Sequence, residues 1–177
     1  DFQDQPPVRL DDLVKDGDIT ADLSMMPGDI LLLCSDGLWS TMPDHVMAQR
    51  LQGLLTPPFR MIASPALRAL TTAQIFAETF AVPEAQIHIE PRVYEATPGT
   101  LLHLINSLDE ADEQVLMFGH NPGFTDIAQL LASAPLPFIE LPTCGIALFE
   151  FDVAHWQDIV PGDGRLLAFR CPKEGTR

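Results

Sequence analysis

The sequence predicts an α/β fold: a mixed, largely parallel sheet with helices on both faces. Three observations carry that reading. Short apolar runs at residues 30–33, 61–63 and 115–119 lack polar alternation, as strands covered on both faces do. From residue 59 onward such runs alternate with stretches whose apolar residues recur at helical spacing. Two of the runs, at Ala63 and Gly119, break at once into Ser64-Pro65 and His120-Asn-Pro-Gly123, so chemically useful side chains arrive at strand ends.

Taken in order, much of residues 1–24 reads as solvated acidic loop, with Asp11, Asp12, Asp16, Asp18 and Asp22 among few aromatics. Met26-Pro-Gly-Asp29 signals a turn, residues 30–33 a buried strand, and Cys34-Ser-Asp-Gly37 its break. Asp44 is placed to cap a helix to about residue 55, with Val46, Met47, Arg50, Leu51 and Leu54 on one face, and Thr56-Pro-Pro58 punctuates it. Residues 59–63 form a strand. Ser64 as N-cap and Pro65 at the first helical position then open a helix to about residue 80, burying Leu67, Leu70, Phe76, Ala77 and Phe80.

Val82-Pro83 ends that helix, residues 87–89 form a short strand, and residues 91–96 a loop. Thr97-Pro98 starts a helix through residue 108, with Leu101, Leu104, Ile105 and Leu108 inward. Residues 115–119 are the central strand and 125–133 the next helix. Strands at 145–151 and 165–170 follow, joined by a loop holding His155-Trp156 and residues 161–164.

The 177 residues suffice for one domain, or a domain with an appendage. No apolar run approaches the roughly 20 residues of a membrane-spanning helix. With 25 acidic against 10 basic residues the formal charge is −15, which disfavours nucleic acid and anionic membrane as partners. Cys34, Cys144 and Cys171 are scattered and odd in number, supporting neither a disulfide framework nor a zinc site, and fitting a reducing, cytoplasmic setting. The N-terminus lacks a signal-peptide layout, and a chain starting at Asp1 reads as trimmed or partial.

A phosphomonoester brings about two negative charges, so its pocket needs convergent cations and N–H donors. Arg68 falls in the first turn of its predicted helix, where free N–H groups and the helix dipole also favour an anion. His120, between Gly119 and Asn121-Pro-Gly, can act as general base, cationic phosphate ligand or nucleophile. Glu95, after Tyr94 in an irregular loop, can give a proton to a leaving group. Ser64 and Asn121 flank these groups as further substrate-binding candidates. Residue type alone leaves each of the five open to a plain structural or solvated role.

Ala63-Ser-Pro-Ala-Leu-Arg-Ala69, Val93-Tyr-Glu-Ala96, Phe118-Gly-His-Asn-Pro-Gly-Phe124 and Leu141-Pro-Thr-Cys-Gly145 together resemble the histidine phosphatase superfamily, nearest its small SixA-like phosphohistidine phosphatase branch. The resemblance spans about residues 59–173. It implies a three-layer, phosphoglycerate-mutase-like fold and metal-free phosphoryl transfer through a phosphohistidine. Carried over, it makes Arg68 a phosphate ligand, His120 the second pocket histidine and Glu95 the proton donor, with neither cofactor nor metal. The family's opening strand ends in Arg-His-Gly or Arg-His-Ala, whose histidine is the nucleophile. No Arg-His pair occurs in this chain, and His45, His88, His103 and His155 stand in other contexts.

Residues 18–54, around Pro27-Gly-Asp-Ile-Leu-Leu-Leu-Cys-Ser-Asp-Gly-Leu-Trp39, resemble instead a fragment of PPM-type metal-dependent Ser/Thr phosphatases, in which the counterpart of Asp36 is a metal ligand. One carboxylate cannot organise a two-metal site. The chain therefore reads as residues 1–56, a PPM-like fragment able to supply a first strand and helix, joined to residues 57–177, a histidine-phosphatase-like domain. In that arrangement Cys34-Ser35-Asp36 stands where Arg-His belongs, with Cys34 or Asp36 as a replacement nucleophile to be tested. The expected function is a phosphatase on phosphohistidine or a small phosphomonoester, impaired by the missing histidine. The alternatives are a non-catalytic phosphate-binding or interaction module and a remnant of a metal-dependent Ser/Thr phosphatase. The partner is a phosphorylated protein or small phosphomonoester.

Overall fold

A computed structural model describes residues 14–15, 18–20, 29–35, 48–49 and 51–171. Its strands, in chain order, are β1 (Val14–Lys15), β2 (Asp18–Thr20), β3 (Asp29–Ser35), β4 (Arg60–Ala63), β5 (Ile87–Ile89), β6 (Gln114–Gly119), β7 (Ile146–Phe151) and β8 (Gly164–Arg170). They form one sheet in the order β1-β2-β8-β7-β3-β6-β4-β5. The half made of β3, β6, β4 and β5 is parallel, whereas β7, β8, β2 and β1 pair antiparallel. β3 lies inside the sheet, Leu32 opposite Leu116 on one side and Leu148 on the other. Its apolar run is buried from Ile30 to Ser35, as a strand covered on both faces requires.

Alternation along the strands splits the core in two. Ile30, Leu32, Met61, Leu116 and Phe118 face helix α1 (Leu67–Thr79) through Ala73, Phe76 and Ala77. Phe76 meets Phe118 edge-on at 5.1 Å between centroids, a favoured aromatic geometry. Leu31, Leu33, Ile62, Val115 and Met117 face helices α2 (Pro98–Asn106) and α3 (Gly123–Leu131) through Leu101, Leu104, Ile105, Ile127, Ala128 and Leu131. Helices therefore cover both faces. Thr97 caps α2, its hydroxyl accepting the Thr100 N–H, with Pro98 in the first turn. Trp156 is fully buried and donates its indole N–H to the Asp112 carbonyl at 2.9 Å, so its short 3₁₀ turn (Trp156–Asp158) closes over the α2 side.

Several expectations need correction. The acidic arm is not all loop, because Val14–Lys15 and Asp18–Thr20 are strands, with Ile19 opposite Phe169. That pairing satisfies the backbone of β8 and depends little on side-chain type, which hid it from a composition argument. Ala48 and Gln49 are helical, but Leu51 to Leu54 are turns, so the helix does not run to residue 55. α1 begins at Leu67 rather than Pro65, and its N-cap is Ala66 with no side-chain cap. The Ser64 hydroxyl is committed elsewhere, and Leu67 is 75% exposed rather than buried. The Asp44 cap and Asp36 lie outside the described residues.

Candidate phosphate site at the carboxyl edge of the sheet

The parallel strands β3, β4, β5 and β6 all deliver their carboxyl ends to one edge, where the crevice of an open α/β sheet forms. Register puts Ser35 beside Gly119 and Ala63 beside both Phe118 and Ile89. The residues that follow, Ser64, Glu90 and His120, therefore cluster. The Ser64 N–H donates to the Phe118 carbonyl and the Glu90 N–H to the Ala63 carbonyl, each at 2.9 Å.

His120 is 6% exposed, and its Nε2 lies 2.7 Å from Ser64 Oγ. Ser64 Oγ also accepts the Ala66 N–H at 3.3 Å, so the hydroxyl hydrogen is available to Nε2. The Tyr94 ring meets the imidazole edge-on, with centroids 5.6 Å apart and planes at 82°. Arg68 is exposed in the first turn of α1, one residue past its start, and its carbonyl accepts the Thr72 hydroxyl. Chain connectivity thus places it at the same strand end as Ser64.

Glu95 is exposed and adopts a left-handed backbone, φ 48°. A non-glycine residue persists there only when its surroundings hold it. On the strand side, Val93 is buried and Gly119 has no room for a Cβ, which would stand 2.8 Å from Val93 Cγ1 and 2.5 Å from the Phe124 ring. Farther along, the Ala96 carbonyl presses on Gly123, where a Cβ would lie 2.2 Å from that oxygen. The two glycines let the Tyr94-Glu95 loop lie directly on the His120 turn.

Asn121 is spent internally. Its amide N–H donates to the Leu141 carbonyl, its Oδ1 accepts the Thr125 hydroxyl at 2.9 Å, and Thr125 Oγ1 accepts the Leu141 N–H at 2.9 Å. This triangle ties the His120 turn to residues 141–145. On the same side, Ser35 at the end of β3 is fully buried, donates its hydroxyl to the Pro142 carbonyl at 2.5 Å and accepts the Gly145 N–H at 3.2 Å.

The structure therefore joins His120 to Ser64 directly and lays the loop of Glu95 against them. Arg68 lies four residues beyond Ser64, in the first turn of α1. Cys34 is fully buried in the α1-facing core, a position that keeps its thiol from an incoming phosphate and corrects its reading as a replacement nucleophile. Among the described residues no group of three or more His, Cys, Asp or Glu could hold a metal. A concavity of about 710 Å³ lies at the opposite, amino edge, lined by Pro57, Pro58, Arg60, His88 and Glu113 among others.

Sequence reasoning passed over Tyr94, although it is the single tyrosine of the chain and adjoins Glu95. It also missed Glu90 and Arg92. The Glu90 carboxylate accepts the Arg92 backbone N–H at 3.0 Å and, bidentately, its guanidinium at 3.0 and 2.9 Å. The Arg92 hydrogen bond is the main reason that the Glu90 carboxyl is held down at about 2, against the opposing effect of burial. Only the spacing Glu-Pro-Arg hinted at this cap.

No family model matches the chain. Two uncharacterized proteins of Mycobacterium tuberculosis, from strains CDC 1551 / Oshkosh and ATCC 25618 / H37Rv, are 32% identical to it over 98 residues, 51% of this chain. The match covers 61% of the length of those relatives. Among solved structures, the protein histidine phosphatase SixA complexed with tungstate superposes with a TM-score of 0.65 at 19% identity, over 81% of this chain and 97% of that one. A SixA protein from Nakamurella multipartitia gives 0.64 at 16% identity, over 82% and 97%. Phosphoglycerate mutase from Plasmodium falciparum gives 0.54 at 17% identity, over 84% and 98%. The fold is phosphoglycerate-mutase-like. No described helix is long and apolar enough to cross a membrane.

Proposed function

We propose that this chain is a phosphatase of the SixA kind, acting on phosphohistidine or a small phosphomonoester, with turnover reduced by the missing Arg-His pair. The observation that carries the reading is the Ser64–His120 pair, 2.7 Å apart at the carboxyl edge of the parallel strands. A like-folded histidine phosphatase binds tungstate, a phosphate-shaped anion. In this reading Arg68 and His120 hold the phosphoryl group, Ser64 and Asn121 orient that pocket, and Glu95 protonates the leaving oxygen as the phosphorus–oxygen bond breaks. Residues 1–56 act as a PPM-like segment that lends the first strand. Neither metal nor cofactor is needed. The setting is cytoplasmic, the partner a phosphoprotein or phosphomonoester, and the net charge argues against nucleic acid or a membrane surface.

A second reading, phosphate binding without turnover, is favoured by Ser35. It stands at the end of β3 with its hydroxyl engaged by Pro142 and Gly145, so it offers no ready nucleophile. The deciding experiment measures turnover of a generic phosphomonoester and of a phosphohistidine protein, in EDTA and in Mn²⁺, with His120→Ala beside the parent. EDTA-resistant turnover lost in the variant supports the phosphatase. Tungstate or phosphate binding with no turnover would put the binding module in its place, and turnover restored only by Mn²⁺ would favour the metal-dependent remnant.

A further inference from the structure

We infer that the Glu90–Arg92 pair is a positioning device, a clasp that holds Tyr94 and Glu95 over His120. Four contacts connect the clasp to the site. Glu90 is fixed to the end of β4 by its N–H bond to the Ala63 carbonyl, immediately before the Ser64 that holds His120. Its carboxylate gathers the Arg92 backbone N–H and the guanidinium Nε and Nη2 at 2.9 to 3.0 Å, so it caps the 3₁₀ turn Pro91–Val93 and cross-links it. The turn in turn seats Val93, buried, over Gly119 and in the same core cluster as Phe124. The next residue, Tyr94, is the one whose ring meets His120.

The clasp is also placed where a structural device is needed. Tyr94 is half exposed and Glu95 is left-handed, so neither burial nor backbone preference fixes the loop over the imidazole. Glu90 itself is 8% exposed, and its carboxylate is engaged by the Arg92 guanidinium, with His88 Nε2 at 3.9 Å. Its carboxylate accepts its hydrogen bonds from Arg92. Its effect is transmitted through three residues of chain.

The inference rests on the proposed phosphate pocket only for what Tyr94 and Glu95 do there; the placement of the ring on His120 is independent of it. Two readouts keep those apart. The imidazole C–H proton resonances of His120 carry the ring-current shift of Tyr94, and Tyr94→Leu sets the value with that ring removed. Glu90→Gln, Glu90→Ala and Arg92→Ala should each move the His120 resonances toward the Tyr94→Leu value, with Glu90→Gln moving them least because its amide oxygen still accepts the Arg92 N–H. In a turnover assay the same variants should lose about tenfold in kcat with KM within about twofold, as expected for misplaced catalytic groups and an intact anion pocket.

Arg92 is half open to solvent, so Arg92→Ala keeps the test standing where Glu90→Ala fails to fold. If His120 resonances stay at their parent positions in folded Arg92→Ala and Glu90→Gln, the clasp is overturned. If they move but the parent protein turns over no phosphoester, the clasp stands and the phosphatase reading fails.

Discussion

Ser64 and His120, 56 residues apart in sequence, meet at 2.7 Å between Oγ and Nε2 because β4 and β6 run parallel and end together. The serine has two tasks, since it also accepts the Ala66 N–H as the chain turns into α1. Removing the hydroxyl by Ser64→Ala should cost about 2- to 10-fold in kcat/KM, the effect of one hydrogen bond on a working group. His120→Ala should cost about 100-fold or more. Steady-state kinetics on a phosphomonoester checks both, and equal losses would contradict the division of roles.

Gly123 tests the seating of the loop. Gly123→Ala puts a methyl group 2.2 Å from the Ala96 carbonyl, a contact that backbone must relieve. We expect about 1–3 kcal/mol of lost stability in urea unfolding, with the Tyr94-Glu95 loop displaced from His120. Gly53→Ala, where nothing lies within 4 Å, is the control and should change stability little.

Thr125 holds the opposite wall. Thr125→Val removes the acceptor of the buried Leu141 N–H and the donor to Asn121 Oδ1. A stranded buried donor costs about 1–3 kcal/mol, so the urea midpoint should fall accordingly. Rapid amide exchange at Leu141 in the folded variant would locate the loss.

The Glu90 carboxyl predicts an acid limb in stability. Its value is 4.5 when unperturbed and about 2 in the fold, so the unfolded chain takes up its proton first as pH falls. The contribution of the pair is complete above about pH 4.5 and is lost as pH falls through about 2. The stability difference between the parent and Glu90→Gln should therefore be larger at pH 7 than at pH 3. It should also shrink with added salt, since Arg92 is half exposed.

Much of this protein was legible in its order of residues. Uninterrupted apolar runs marked β3, β4 and β6, and Leu101, Leu104 and Ile105 marked the inner face of α2, because solvent exclusion imposes a period that the chain must carry locally. The turn chemistry around His120 placed that histidine at a strand end. What the sequence left open was every relationship between strands. That β3 lies between β6 and β7, that Ser64 serves His120 rather than capping α1, and that Asn121 is bonded to Leu141 and Thr125 all follow from register. Register is a property of paired backbones and of packing between distant segments, and no local pattern records it. The candidate residues were thus written in the sequence, and which of them meet was decided only when the sheet closed.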